Sequence, residues 1–475
     1  MTCKHKSAAA FATDLFLEVA KAALEIRGKS LYFKEVHVKS KQVRDILLKE
    51  IHRVCKSIDQ FCVSPGKDFV RSRKIPIEKL ILAIIGMGNR SITNELLEFY
   101  DVSPNTPTAS AFVQQRDKLK PEALETIFKS FSSKLLADVE GKMPILAVDG
   151  SDVQIATNPT DTESYFQGMN GQHPYNLLHL NALYDLNQNI YLDSIIQKKR
   201  IYNEHLALVS MVDRSTIPKA LLIADRGYES YNNIAHIQEK GWFFLIRIKD
   251  GIHGIKDGLE LPTSDTYDTE FNLKLTKKNT KETKELFKDK NHYKYISHTT
   301  PLDYLPSKSR KADPLVFYKI RFRVVRFPIS SNAYETVITN LDPKDYPPSE
   351  IKKLYAARWG IESSFRALKY TLGMIDFHSK KVACILQEIY SHLIMYNFAE
   401  TVTSQVSIRK KQRKHTYKAN FTVAVHMCRL YYRRKTTLQV LEAVISKNLL
   451  PIRPDRSWER NFAPRVFRGF LYRVA

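Results

Sequence analysis

The amino-acid sequence predicts an α/β protein with a central sheet, a β-rich insertion and helical regions at both ends. Three observations predict this class. Residues 141–249 alternate between apolar strand-like runs and helical patterns, residues 250–333 are polar, turn-rich and strand-like, and residues 1–140 and 401–475 have mainly helical periodicity. Residues 334–400 are predicted to return to the core and to contribute a helix rich in charged residues.

The N-terminal region, residues 1–140, is predicted to be helical and is a candidate for DNA binding. "IEKLILAIIGMG" (77–88) is followed by two helical patterns on either side of the turn "DVSPNTPT" (101–108). A helix-turn-helix has this pattern, and so has any pair of packed helices. Both interpretations stay open from the sequence.

The predicted elements of the core follow one another in a definite order. "PILAVDGSDVQIA" (144–156) is a short apolar run that ends in acids, and residues 175–197 form two strands around the turn "DLNQN". A helix capped by Asn203, a buried strand that ends at Asp225, another helix and a further strand come next. Three strands, then helix, strand, helix and strand, is the order expected of a ribonuclease-H-like core.

The segment "VFYKIRFRVVRF" (316–327) is predicted to be a half-buried strand of the insertion. Its predicted apolar face consists of Val316, Tyr318, Ile320, Phe322 and Val324, and its predicted basic outer face of Lys319, Arg321 and Arg323. "ETVITNLD" (335–342) is predicted to rejoin the core. Ser349 is the predicted N-cap of the helix that follows.

The charge balance indicates a polyanionic partner. The chain has 74 Lys and Arg against 50 Asp and Glu, which gives a net charge of +24. Residues 401–475 contain 17 Lys or Arg against three acids, a local excess of 14. Because each neutralised phosphate releases counterions, we favour a nucleic acid over a charged surface that serves solubility alone.

Composition argues against membrane and secreted classes. The best apolar run, residues 80–88, is about half of the ~20 residues that cross a bilayer, and the N-terminus has no signal-peptide pattern. The five cysteines are scattered and form no C-x-x-C pair, which predicts no disulfide framework and fits a reducing cytoplasm. We therefore expect a cytoplasmic, nucleoid-associated protein without a membrane partner.

The helix predicted over "YAARWGIESSFRALK" (355–369) holds one acid among several cations. Its predicted polar face contains Tyr355, Arg358, Glu362 and Lys369, and its predicted core-facing stripe contains Ile361, Phe365, Leu368 and Leu372. An ion pair of Glu362 with Arg358 or Arg366 is the simplest explanation of the lone acid. Such a pair is worth only about 0.3–0.5 kcal/mol.

Two aspartates suggest a further role for Glu362. Asp149 follows "ILAV" and Asp225 follows "ALLIA", each where a buried strand is predicted to end and where ligand sites tend to form. With Glu362 they would form an oxygen cage for divalent cations, for which Mg²⁺ is suited and Mn²⁺ a substitute. Two such ions act on phosphodiesters, and Arg358 and Lys369 would hold flanking phosphates.

Other acids and histidines are weaker candidates. Asp152, in the same "DGSD" run, is the alternative to Asp149. Asp185 is predicted to be a turn residue and Asp213 to lie in a helix. Glu204 and His205 are at a predicted helix start, where they would cap the helix or face its dipole. The lone histidines His173 and His179 are predicted to be structural.

The spacing Tyr355-x2-Arg358-x3-Glu362-x6-Lys369 matches the Y-x2-R-x3-E-x6-K signature of DDE transposases of the insertion sequence four group. "LAVDGSD" and "IADRGY" resemble the first and second aspartate motifs of that family, in the family's order. The resemblance covers roughly residues 75–400.

This resemblance implies a ribonuclease-H-like fold with a β insertion, Mg²⁺-dependent cleavage at transposon ends, and joining of the 3′-hydroxyl to target DNA. Asp149, Asp225 and Glu362 would be the catalytic, metal-binding triad. The predicted DNA contacts are Tyr355, Arg358, Arg366 and Lys369. The implied partners are double-stranded DNA, both transposon ends and target, and further copies of the chain in a homodimer or larger assembly.

Members of the family often pass through a hairpin intermediate, with a flipped base stacked on an aromatic residue of the insertion. Tyr318, Phe327 and Tyr334 are candidates for that residue here. Two alternative functions remain at this stage. One is a DNA-binding protein that has lost catalysis, and the other is a nuclease of the same fold that cleaves without joining.

Overall fold

The computed structural model describes residues 38–71, 74–136, 143–168, 171–249, 254–305, 317–330, 333–408 and 416–452. Predictions that fall on other residues, among them Val316, lie outside these ranges. Within them a large mixed sheet is combined with many helices, which confirms the predicted α/β class.

The described part of the N-terminal region is helical, as predicted. Its helices are α1 (Ser40–Lys56), α2 (Ile58–Phe61), α3 (Ile77–Gly86), α4 (Ile92–Phe99), α5 (Ala109–Arg116) and α6 (Glu122–Leu135). The Ser91 side chain accepts the N–H of Asn94 and caps α4, and the Thr108 side chain accepts the N–H of Ala111 and caps α5. The helices α4 and α5 pack on each other around the predicted turn, and DNA reading by this pair stays a prediction.

A mixed sheet forms the centre of the molecule. Its strands are β1 (Ile145–Ile155), β2 (Tyr165–Phe166), β3 (Tyr175–Asp185), β4 (Ile190–Lys198), β5 (Leu221–Ala224), β6 (Phe243–Arg247), β7 (Tyr267–Thr276), β8 (Tyr293–Tyr295), β9 (Tyr318–Ser330) and β10 (Ala333–Thr339). Over the described ranges they pair in the order β2-β3-β1-β5-β6-β10-β9-β7-β8, with β4 also paired to β3. Strands β1, β5 and β6 are mutually parallel, whereas β3 is antiparallel to β1 and β10 to β6.

The strands predicted in residues 250–333 continue the same sheet, because β10 pairs with β6, β9 with β10 and β7 with β9. One detail of the predicted strand is wrong. Arg323 was expected on the basic outer face but is buried, because its guanidinium pairs with Asp268 at 2.6 Å and donates to the carbonyl of Tyr346. Its partners lie far away in sequence and were not visible in the alternation of β9.

Helices cover both faces of the sheet. One face is covered by α7 (Glu204–Asp213) and α8 (Tyr231–Glu239). The other face is covered by α10 (Pro348–Ala357), α11 (Trp359–Ala367) and α12 (Val382–Thr403). The short α9 (Lys281–Leu286) follows β7 in the chain. The alternation of β1 separates the two cores, since Leu146 and Val148 pack with α7 and α8 while Ala147 packs with α12.

The segment predicted as one helix over residues 355–369 is divided among α10 and α11, which meet at Arg358, and the π-helical turn Leu368–Leu372. The backbone of Arg358 is itself helical (φ −50°, ψ −34°), so the backbone stays in the α-helical region between the two helices. Ser349 is not the N-cap, because α10 already begins at Pro348, whose missing N–H suits a first turn. The predicted core-facing stripe is buried, namely Ile361, Phe365, Leu368 and Leu372.

The last described helices close the core around α12. They are α13 (Phe421–Tyr432) and α14 (Leu438–Lys447), flanked by β11 (Thr416–Ala419) and β12 (Leu449–Ile452), which pair antiparallel. Of the 22 residues of α12, 17 are buried, and it packs against α1, α3 and α6. No helix in the described ranges is long and apolar enough to cross a membrane.

A buried ion pair fastens α5 to α12. The guanidinium of Arg116 donates to Glu388 at 2.9 Å, to Gln387 at 2.8 Å and to the carbonyl of Cys384 at 2.5 Å. Both charged side chains are almost completely buried. Burial alone would raise the pKa of Glu388, but the charge of Arg116 and the bond with His378 hold it down to about 2.

We expect Glu388→Gln to lower the free energy of unfolding by about 3–5 kcal/mol, because it leaves the Arg116 charge buried without a counter-charge. Urea unfolding at pH 7 measures this. The matched control is Glu285→Gln, which breaks an exposed pair with Lys288 and should change stability by less than about 1 kcal/mol. Equal effects of the two substitutions would contradict the importance of the buried pair.

Candidate active site

Asp149 and Asp225 lie side by side at one edge of the parallel strands. Strands β1 and β5 pair in register up to Val148 and Ala224, so the next residue on each is one of the aspartates. Asp225 follows the end of β5, as predicted. The predicted strand end at Asp149 is wrong, because β1 continues to Ile155 and pairs there with β3 alone.

The guanidinium of Arg358 joins Glu362 to this edge. Its Nη2 donates to Oε1 of Glu362 at 3.0 Å, and its Nη1 lies 3.8 Å from Oδ2 of Asp149. The side chain of Arg358 is only 4% exposed, whereas those of Asp149, Glu362 and Asp225 are 25, 34 and 37% exposed. The expected ion pair of Glu362 is thus present, and it is part of a larger group in which one buried cation lies against partly exposed carboxylates.

Tyr355 and Arg247 position Asp225. The Tyr355 hydroxyl donates to Oδ1 of Asp225 at 3.2 Å, and Nη1 of Arg247 lies 3.6 Å from the same oxygen. The N–H of Arg226 also donates to it at 2.8 Å. Arg247 is held in turn by Glu335 at 3.2 Å. Because Tyr355 is buried, it reaches Asp225 from the core side of the helix.

The two aspartates differ in their electrostatic environment. Burial raises the pKa of Asp149 to about 6; Arg358 and the N–H of Gly150 oppose the rise, while the charges of Glu362 and Asp225 add to it. Burial alone would also raise the pKa of Asp225, but Arg358, the N–H of Arg226 and Arg247 hold it below its ordinary value. Of the two aspartates, Asp149 is therefore the one whose pKa reflects repulsion from the other acids.

The four predicted DNA contacts fall into two groups. Arg366 is exposed and Lys369 is half-buried. Tyr355 and Arg358 are both buried and contact the carboxylates described above. Contact of any of the four with DNA stays a prediction.

Asp152, the alternative to Asp149, is held by other side chains. Its Oδ1 lies 2.6 Å from Nδ1 of His179 and 2.9 Å from Nζ of Lys199, so its partners differ from those of the acids around Arg358. Of the two roles expected of Glu204, capping is wrong, because Asn203 accepts the capping N–H. Glu204 does lie in the first turn, as the dipole role requires, and its carboxylate also lies 2.9 Å from Nε2 of His179.

The other rivals have structural roles. Asp185 accepts the N–H groups of Asn187 and Gln188 and stabilises the predicted turn. Asp213 ends α7 and pairs with His236 at 2.9 Å.

The donor set suits a divalent cation by its chemistry, since three carboxylates supply hard oxygen ligands. No three His, Cys, Asp or Glu side chains in the described ranges stand close enough together to share one ion directly, and Arg358 contacts both Asp149 and Glu362. Two buried polar atoms at the site, Oη of Tyr228 and Nε of Arg358, lack a hydrogen-bond partner among the described residues. Buried polar atoms are normally paired, and the Tyr228 hydroxyl can accept from an ion-bound water, so the three carboxylates and this hydroxyl fit an ion that brings part of its water shell.

Sequence reasoning missed two residues of the site, Arg247 and Tyr228. Arg247 ends β6, the strand next to β5, and Tyr228 closes the "IADRGY" motif. Polar residues at the end of a neighbouring parallel strand are the signal that would have found Arg247. No such signal marked Tyr228, whose ring is buried with the apolar residues of α7 and α8.

A family model described as a transposase DDE domain matches residues 140–398, more than half of the chain. The chain belongs to the DDE transposase family. This transposase is 20% identical over 353 residues to the transposase InsG for insertion sequence element IS4 of Escherichia coli (strain K12), a match that covers 72% of each chain. The resemblance to the insertion sequence four group is thereby confirmed.

Among solved structures, the transposase is similar to the piggyBac transposase in a synaptic complex with hairpin DNA. The TM-score is 0.42 and the identity 10%, over 86% of this chain and 85% of the other.

The raised pKa of Asp149 predicts how stability depends on pH without metal. A carboxyl with a raised folded pKa loses its stability contribution as the pH rises from its unfolded value of 3.8 through about 6. Asp149→Asn should therefore be more stable than wild type by about 1–3 kcal/mol at pH 7.5. The difference should shrink towards pH 4.

Urea unfolding in EDTA at a series of pH values measures this difference. A variant that is less stable than wild type at pH 7.5 would show that Asp149 is better compensated than its burial indicates.

Proposed function

We propose that this transposase cleaves phosphodiester bonds at the ends of its own element and joins the freed 3′-hydroxyl to target DNA. The observation that carries the proposal is the meeting of three acids at the edge of the parallel strands, where the buried guanidinium of Arg358 contacts Glu362 and Asp149, and Asp225 follows the strand next to that of Asp149. The three acids are separated in sequence by β2 to β10, so their meeting is a property of the fold.

The strand order supports a ribonuclease-H-like core. Strands β4, β3, β1, β5 and β6 are neighbours in that order, with β1, β5 and β6 parallel and β3 antiparallel to β1. Helix α7 follows β4 and helix α8 follows β5. This is the sequence of elements that the core was expected to have.

Asp149, Asp225 and Glu362 are the residues that would hold two Mg²⁺ ions, or Mn²⁺ in their place. When bound, such ions activate a water or a 3′-hydroxyl and stabilise the leaving oxygen of a phosphodiester. The chain's own residues orient these ligands, since Tyr355 and Arg247 hold Asp225. Arg358 would give up part of its contact with Asp149 and Glu362 when those oxygens turn to a cation.

Double-stranded DNA is the proposed partner. Arg366 reaches solvent on the helix that carries Glu362, and the half-buried Lys369 lies in the helical turn directly after it, where both would hold phosphates beside the cleaved bond. The net charge of +24 supplies the wider attraction. Cleavage and joining at two ends of one element needs two such sites together, so we propose a homodimer or larger assembly on DNA.

We expect Glu362→Gln to lower the cleavage rate more than about a hundredfold. Mutating even the outer partners of a metal ligand lowers metal affinity or activity about 10–100-fold, and Glu362 is a proposed ligand itself. The assay uses labelled DNA that carries the element's own ends, with Mg²⁺. Glu285→Gln, an exposed acid far from the signature, is the matched control and should cleave like wild type. A gel-shift measurement should show that Glu362→Gln still binds the ends.

The products separate the alternatives. Cleavage and joining by the wild type, lost in Glu362→Gln, supports the proposal. Cleavage without joining would favour a nuclease. Binding without cleavage by either protein, in Mg²⁺ or Mn²⁺, would favour a DNA-binding protein that has lost catalysis and would leave Glu362 as a structural ion pair.

A further inference from the structure

A second polar cluster lies beside the three acids. This histidine cluster consists of Asp152, His179, Lys199 and Glu204. Nδ1 of His179 lies 2.6 Å from Oδ1 of Asp152, and its Nε2 lies 2.9 Å from Oε1 of Glu204. The His179 side chain is only 4% exposed, and its Nε2 approaches Glu204 without the geometry of a hydrogen bond, so the buried imidazole limits where the Glu204 carboxylate can lie.

Glu204 approaches the backbone that carries both aspartates. A Cβ on Gly150 would lie 2.3 Å from Nε2 of His179 and 2.9 Å from Oε1 of Glu204, so only glycine leaves room for the cluster at this point of β1. A Cβ on Gly227, in the turn after β5, would meet Oε2 of Glu204 at 3.9 Å. One oxygen of Glu204 therefore faces His179 and the other faces the turn that follows the second aspartate.

Tyr228 closes the turn that follows Asp225 and is buried near enough to the acids of both groups for their charges to act on it. Tyr228 is 2% exposed, and no hydrogen-bond partner of its Oη is found in the described part of the chain. Burial raises the pKa of Tyr228 well above its ordinary value, and the negative charges of Glu204, Asp149 and Asp225 act on it in the same direction. A buried hydroxyl without a partner is unfavourable, so a polar ligand placed between these acids is its natural partner.

Helix capping does not explain Glu204. Asn203 already accepts the N–H of Leu206 at the start of α7. An ordinary histidine–carboxylate pair is found at the other end of the same helix, where Asp213 pairs with His236. Glu204 differs from that pair because it lies against the aspartate-bearing backbone and beside an unpaired buried hydroxyl.

We propose that Glu204 is a fourth carboxylate of the ion site, and that Glu204 and the Tyr228 hydroxyl hold water molecules of a divalent cation bound by Asp149, Asp225 and Glu362. This inference rests on the proposed function. Mg²⁺ keeps several waters, and outer partners of this kind orient the coordination shell. Glu204 and Tyr228 are thus positioning residues, and His179 limits where the Glu204 carboxylate can lie.

The test is Mn²⁺ binding to the full chain without DNA, with free Mn²⁺ followed by electron paramagnetic resonance. Glu204→Gln should weaken the Mn²⁺ affinity about tenfold or more. Asp213→Asn, which removes the acid of the comparable pair on the same helix, is the matched control and should bind Mn²⁺ like wild type. Tyr228→Phe should weaken binding severalfold without lowering the midpoint of thermal unfolding in EDTA, because it removes an unpaired buried hydroxyl.

Wild-type affinity in Glu204→Gln would overturn the proposal, and so would an equal loss in Asp213→Asn, which would mean that net charge alone sets the affinity. Asp149→Asn separates this inference from the proposed function. If the wild type binds no Mn²⁺, or if Asp149→Asn binds it as tightly as wild type, the ion site itself is disproved. If Glu204→Gln does not fold, Glu204→Ala, which also removes the carboxylate, replaces it, and unchanged affinity in that variant overturns the proposal equally.

Discussion

The buried guanidinium of Arg358 is the interaction on which the arrangement of the site depends. It contacts Glu362 on its own helix and Asp149 on β1, and its charge lowers the pKa of Asp225 beyond the end of β5. A buried cation without partners costs several kcal/mol, and three carboxylates without a cation would repel one another. Each compensates the other, so the docking of α11 on the sheet and the assembly of the acids are one event.

The protein stabilises the negative charge of the two aspartates to different extents. They occupy neighbouring positions on parallel strands, yet their pKa values shift in opposite directions. Asp225 receives a tyrosine hydroxyl and lies near a second guanidinium, that of Arg247. Asp149 lies 3.8 Å from the guanidinium of Arg358, and the charges of Glu362 and Asp225 both raise its pKa. Of the two aspartates, Asp149 has the less stabilised negative charge, so a bound cation would stabilise it more than Asp225.

Local sequence patterns predicted most elements, because their causes are local. The strand alternation, the turn at Asp185 and the cap at Asn203 depend on neighbours within a few residues. Apart from the N-cap wrongly assigned to Ser349, the failures among these elements involve partners far away in the chain. Arg323 turns inward to Asp268, and β1 runs past Asp149 because β3 continues to pair with it. Neither partner is visible in the alternation of a single strand.

The candidate site was predictable for a different reason. Asp149 and Asp225 follow apolar runs, and the carboxyl ends of neighbouring parallel strands lie at the same edge of a sheet. Glu362 was found from the spacing of the polar residues on its predicted helix. The sequence did not reveal that Tyr355 and Arg358 face inward to the carboxylates, since a helical wheel places residues on a face without saying what covers that face. It also left Glu204 at a helix start, because its pairing with His179 joins β3 to α7 across the fold.

The path of the chain has a consequence for a protein that is still being made. β1 and β5 leave the ribosome early, but Arg358 and Glu362 follow only after β7 to β10. Helix α12, on which α1, α3 and α6 bury their apolar sides, is made later still. A polypeptide that stops before residue 358 therefore has the two aspartates without their cation and its first helices without the helix that covers them. Translation itself therefore delays the assembly of the three acids around Arg358 until the chain has been made as far as Glu362.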